Sequence, residues 1–327
     1  DEKLIDKSKL IINNKNSTKI NLAYGSFLLA KSEKKRKKYK SEFDHLIDAH
    51  NYYFESRKEQ FKLGLKYCFE DVLQIANFSH FDKSSSKKDY KLSPIFIVGV
   101  PRTGSTMIEK IIGSGKTPLS IGEETGILEK YLTQRILKKK SLNLGNIEDV
   151  RKDLFIIYKK KGLAVNENSI FTDKSLNNFF YINLIKLIYP NAKIINCRRN
   201  PISSICSIFQ NNLTELSWAH NLENIFRYFD NYFQILNSLK LKYSNFIYDL
   251  QFEDFTNNPE SESKKLMKIC DLEWDKKCLD FHKRKDIISK TTSYKQIRKA
   301  VYKHPLDRYS PYKVFLNEFG KKYSWFI

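Results

Sequence analysis

The sequence has no Cys-X-X-Cys pair and an odd number of cysteines: Cys68, Cys197, Cys206, Cys270 and Cys278. Neither a disulfide framework nor a thiolate zinc site is expected, and a reducing, cytoplasmic compartment fits best. There is also no run approaching the ~18 apolar residues that cross a bilayer, and no signal-peptide hydrophobic stretch ahead of the first helix. Because the chain begins at Asp1 rather than Met, a luminal or secreted fragment whose anchor has been removed is the other reading. Acidic residues are in the minority, 37 Asp and Glu against 58 Lys and Arg, for a formal charge of +21. That excess implies anionic ligands, without saying whether they are nucleotides, acidic peptides, sulfated glycans, nucleic acid or a membrane surface. No single tail carries it, since residues 1–90 hold 19 Lys and Arg against 13 Asp and Glu. With 41% hydrophobic and 14% aromatic residues over 327 positions, the chain can bury a large core, which excludes disorder throughout.

One stretch, PIFIVGVPRTGSTMIEKIIG from Pro94 to Gly113, organises the rest. Ile95 to Val98 is a short apolar, β-branched run between Pro94 and Gly99, the pattern of a buried parallel strand. Helical spacing begins at Met107. Between them, small residues let backbone N–H groups approach an anion, and the new helix points its positive dipole end at it. Two glycines separated by four residues give the spacing of a P-loop, but Ser105 stands where the nucleotide-binding Lys should follow. Arg102 lies inside the loop instead, with a planar fork suited to phosphate. A second strand–helix joint follows at Lys193–Cys197 and Arg198-Arg199-Asn200-Pro201, with serines in the next turns. Two anion sites on neighbouring strand ends match one ligand with two anionic ends.

PRTGST followed by Gly122-Glu123-Glu124-Thr125 resembles the 5′-phosphosulfate loop of sulfotransferases that use 3′-phosphoadenosine 5′-phosphosulfate (PAPS). Among these it is most similar to the tyrosylprotein sulfotransferases and to bacterial sulfotransferases fused to tetratricopeptide repeats, from about Pro94 to about Tyr309. The resemblance implies that Arg102, Thr103, Gly104, Ser105 and Thr106 hold the 5′-phosphosulfate, and that Glu124 is the base for the attacking hydroxyl. Lys174, in Thr172-Asp173-Lys174 at a strand exit, would assist the leaving phosphate. Arg199 and Ser207, eight residues on, would bind the 3′-phosphate, and Arg298 or Lys299 in a closing loop would cover the phosphates. The product would be 3′-phosphoadenosine 5′-phosphate. No metal is expected, because fixed cations and amides supply the charge. Asn211 stands where the tyrosylprotein enzymes carry Arg, Phe252 replaces a Tyr, and Ala300 replaces a Pro. His220 precedes an apolar helical stripe and reads as a satisfied or an exposed histidine rather than the base used by small-molecule sulfotransferases.

The fold class expected is α/β, a P-loop-type parallel sheet flanked by helices, over residues 91–327. Residues 1–90 read as a small helical region like a tetratricopeptide hairpin, Ile20–Ala30 and Tyr39–Ser56, with Lys31–Lys38 as a long solvated connection and Ser84–Asp89 as a linker. Such a hairpin suits presentation of an extended acceptor, peptide or glycan. The basic cluster Lys34–Lys38 lacks interleaved aromatics, which disfavours nucleic acid. The function expected is transfer of a sulfuryl group to a hydroxyl of a protein tyrosine, a glycan or another alcohol. The alternatives are a P-loop kinase or NTPase, and a basic scaffold for nucleic acid or acidic partners with an inactive nucleotide site.

Overall fold

A computed structural model describes residues 2–82, 90–117, 119–284, 298, 301 and 308–326. The chain divides into two compact units, one of Asp1–Asp71, Pro201–Asn231 and Pro305–Ile327, the other of Val72–Asn200 and Tyr232–His304. A single cut near residue 90 does not describe this division. The expected linker Ser84–Asp89 lies outside the described residues.

The second unit holds five parallel strands, β1 (Ser93–Gly99), β2 (Ser120–Ile121), β3 (Ile170–Asp173), β4 (Lys193–Arg198) and β5 (Ile247–Gln251), in the order β2-β3-β1-β4-β5. This is the α/β, P-loop-type architecture that the sequence led us to expect. Parallel pairing requires crossover connections, and the helices that supply them must cover both faces. Strand β1 is central and reads Ile95-Phe-Ile-Val98 because it is buried on both sides. Ile108, Ile111 and Ile112 of the helix Ser105–Ile112 pack with Ile95, Ile97 and Ile195, joined by Leu250, Phe255 and Leu266. Strand β5 begins at Ile247, just after a turn closed by Phe246 N–H to the Tyr243 carbonyl at 3.1 Å, and pairs Gln251 with Arg198.

In the first unit the helices Lys19–Lys35 and Tyr39–Ser56 pack as a hairpin joined by only Arg36–Lys38. The expected long connection is corrected. Thr18 caps the first helix by accepting from Asn21 N–H, and Lys34 and Lys35 favour its carbonyl end until Lys37 turns left-handed (φ +59°). Lys34 is half-buried rather than freely solvated. It bonds Gln210 and lies 4.0 Å from Glu42, whose carboxylate also accepts from Tyr312 Oη at 2.6 Å and Gln210 Nε2 at 3.0 Å. Phe43 packs on Phe209 and Phe315, so segments 201–231 and 308–326 complete this core. The helix Lys58–Lys66 runs into a π-helical turn, Tyr67–Asp71, where the first segment of this unit ends.

Candidate active site

The loop after β1 is built on two glycines that nothing else replaces. Gly99 has φ +145°, and a Cβ there would lie 2.6 Å from the Cys197 carbonyl of β4; at Gly104 (φ +89°) a Cβ would lie 2.5 Å from the Phe252 ring. Thr103, buried, donates to the Val100 carbonyl at 2.9 Å and closes the turn. Arg102 is left-handed (φ +71°), a conformation that costs a non-glycine residue on the order of 1 kcal/mol. Ser105 and Thr106, both buried, start the helix Ser105–Ile112, so its first amides face the loop.

Strand β4 delivers the second anion site. Arg198 is taken up by Asp249 at 2.9 Å, whereas Arg199 turns to the loop and donates from Nη1 to the Arg102 carbonyl at 3.0 Å. Its guanidinium lies 4.8 Å from the centre of the Phe252 ring, the ring that also covers Gly104. Phe252 thus roofs the loop and orients Arg199 by a cation–π contact, a role that its reading as a replaced Tyr did not reveal. Ser207 is buried on the helix Pro201–Phe209 and belongs to the other compact unit. Arg298 is exposed, and Lys299 lies outside the described residues.

Glu124 stands in a turn, Gly122–Gly126, that is tied to the exit of β3 residue by residue. Gly122 N–H donates to Thr172 Oγ1 at 3.2 Å, Lys174 N–H to the Glu123 carbonyl at 2.8 Å, Thr125 Oγ1 to Asp173 Oδ2 at 2.9 Å, and Gly126 N–H to Ser175 Oγ at 2.8 Å. Asp173, fully buried, also accepts from Tyr158 Oη at 2.8 Å and from Ser175 Oγ at 2.6 Å. At the centre Lys174 Nζ donates to Glu124 Oε1 at 2.8 Å; the lysine side chain is 0% exposed and the glutamate 55%. The contact thus joins a fully buried Lys174 side chain to a carboxylate that faces solvent, and answers a buried polar group that would otherwise be costly. Sequence reasoning singled out Glu124 and Lys174 but missed Asp173, Thr125, Ser175 and the buried Glu109. The run Thr172-Asp-Lys-Ser175 at a strand exit was the available signal for three of these contacts.

Of the two readings given to His220, satisfied or exposed, the structure shows the first, since it is buried in the core. Its Nδ1 lies 3.0 Å from His50 Nδ1 and its ring is stacked on Tyr53 and Phe61. Burial pushes its pKa down to about 4 and that of His50 to about 3.

The donor set of Arg102, Arg199, Lys174, the hydroxyls of Ser105 and Thr106 and the loop amides is that of an anion site. A family model described as the sulfotransferase family matches residues 94–276. An uncharacterized protein of Aquifex aeolicus (strain VF5) is 26% identical over 311 residues, covering 90% of this chain but 40% of its own length, so the chain spans about two fifths of that relative. Among solved structures, the chain is similar to the sulfotransferase domain from the Synechococcus PCC 7002 olefin synthase, with a TM-score of 0.47, 17% identity, and coverage of 70% of this chain and 91% of that one. A sulfotransferase from Mycobacterium tuberculosis H37Rv aligns over 98% of both chains with a TM-score of 0.36 and 14% identity.

Proposed function

The chain belongs to the sulfotransferase family, and from that premise we propose that it transfers a sulfuryl group from PAPS to a hydroxyl acceptor, with Glu124 as base. The observation that carries this reading is the bond from Arg199 to the Arg102 carbonyl, which joins two cationic strand ends into one site for a ligand with anionic groups at both ends. Arg102 and the loop amides would hold the 5′-phosphosulfate and Arg199 the 3′-phosphate. When bound, PAPS supplies an activated sulfuryl group. Glu124 then accepts the proton of the attacking hydroxyl, and Lys174 holds its carboxyl group in place for that transfer. An ammonium has three N–H donors, so the one given to Glu124 leaves others for the charge that grows on the departing phosphate. The exposure of Glu124 suits an acceptor hydroxyl arriving from solvent, on an extended peptide or a glycan.

The test is calorimetry with 3′-phosphoadenosine 5′-phosphate against AMP and ATP. We expect the 3′-phosphorylated nucleotide to bind far more tightly, and Arg199→Ala to weaken it ten- to a hundredfold, the equivalent of the roughly 1.5–3 kcal/mol of one charge-assisted contact. Equal affinity for it and AMP in the unaltered protein would overturn the assignment.

A further inference from the structure

Glu109 has no part in the chemistry above, yet like Asp173 it is a fully buried carboxylate at the site. It sits in the second turn of the helix Ser105–Ile112 with 0% of its surface exposed. Its Oε1 accepts from Glu123 N–H at 3.0 Å and from Thr172 Oγ1 at 2.8 Å, so one oxygen grips both the base-bearing turn and the strand exit behind it. Its Oε2 meets no hydrogen-bond partner among the described residues. Glu123, whose amide it holds, is left-handed (φ +51°), a backbone state that persists only where the surroundings enforce it. We propose that Glu109 is a positioning residue, its ionised carboxylate clamping the turn Gly122–Gly126 to the phosphate-loop helix and thereby holding Glu124 in line with Lys174.

A helix packed in the core needs no carboxylate, and a buried one with an unanswered oxygen costs stability. Its retention makes sense where the bonds it accepts are strongest in the charged state. The groups facing it are Lys174 and Glu123 from the strand exit and the turn, Lys110 beside it on the helix, and the Cys197 thiol from β4. Burial pushes the Glu109 carboxyl up to about 7, against the pull of Lys174 and of the two bonds it accepts. The clamp therefore tightens as pH rises through neutrality. The sign for stability is opposite: with its folded pKa above the unfolded one, Glu109 contributes stability as the neutral acid, and this is lost as pH rises towards 7.

This inference rests on the sulfotransferase reading, so its test has one arm that does not need turnover. Hydrogen–deuterium exchange of a peptide spanning Gly122–Gly126 at pH 8 should be at least about threefold faster in Glu109→Ala than in the unaltered protein, and intermediate in Glu109→Gln, which keeps an acceptor oxygen without the charge. The kinetic arm follows kcat between pH 6 and 9 at saturating PAPS. Glu109→Ala should lose about tenfold or more in kcat, since a misplaced group costs rate rather than binding, while the Kd for 3′-phosphoadenosine 5′-phosphate stays within about threefold. Glu109→Gln should recover part of that loss and erase the limb near pH 7. Exchange unchanged in both variants overturns the clamp, as does a Glu109→Gln enzyme that keeps the neutral limb. Absence of PAPS-dependent transfer by the unaltered protein would instead sink the functional reading and leave the exchange result to decide the clamp.

Discussion

Two buried glutamates, one in each compact unit, show how this molecule separates structure from function. Glu42 and Glu109 both lie on helices, are 1% and 0% exposed, and have carboxyls that burial pushes upward. Around Glu42 both oxygens are answered by side chains, Tyr312 and Gln210, with Lys34 close by. Around Glu109 one oxygen takes two bonds, one of them from the backbone of a left-handed residue, and the other takes none. A fully answered carboxylate fixes the packing of three segments. A partly answered one, gripping the turn that carries the proposed base, puts its bonds into geometry. Among the described residues, two of the five left-handed non-glycine residues, Arg102 and Glu123, lie in the turns that follow β1 and β2.

Breaking the site end should cost the most. Glu124→Gln keeps the shape but cannot take a proton, so transfer should fall by at least the ~10²-fold typical of a lost general base, with melting temperature and nucleotide affinity nearly unchanged. If sulfate transfer survives that change, Glu124 is not the base. Breaking the packing end should do the reverse. Glu42→Ala leaves the Tyr312 hydroxyl and the Gln210 amide without their acceptor, at roughly 1–3 kcal/mol for each buried group left unpaired. Chemical denaturation should register that loss, while kcat per folded molecule stays constant; a fall in kcat at unchanged stability would collapse the distinction.

The same comparison can be sharpened by a pH dependence within the helical unit. His50 and His220 are held neutral with folded pKa values of about 3 and about 4, below the 6.5 of an unrestrained histidine. Their contribution is complete above about pH 6.5. Below it the unfolded chain binds protons that the folded one refuses, so stability should fall towards pH 4 by up to ~1.4 kcal/mol per pH unit per histidine. Glu42 and Glu109, with raised values, act with the opposite sign over this range. A melting temperature that is flat or rising from pH 6.5 to 4.5 would show that the imidazole pair does not dominate.

Sequence alone determined whatever depends on neighbours along the chain. The apolar run Ile95–Val98, the glycines at 99 and 104 and the helix that follows specify a strand–loop–helix because burial, permissive φ angles and amide donors are all local requirements. The same holds for the second joint at Pro201 and for the pairing of hydrophobic stripes with helices. What only the tertiary structure decided is which side chains from distant segments meet. Parallel pairing places β3 and β4 beside β1, so Thr172, Asp173 and Lys174 reach a turn about fifty residues earlier in the chain, and Arg199 rather than Arg198 reaches the loop. Glu109 looked like an unremarkable helix residue, and Lys34 looked like part of a solvated basic cluster. Their partners, Glu123 and Thr172 for one and Gln210 for the other, are set by crossover and burial, and no period or spacing in the chain encodes those distances.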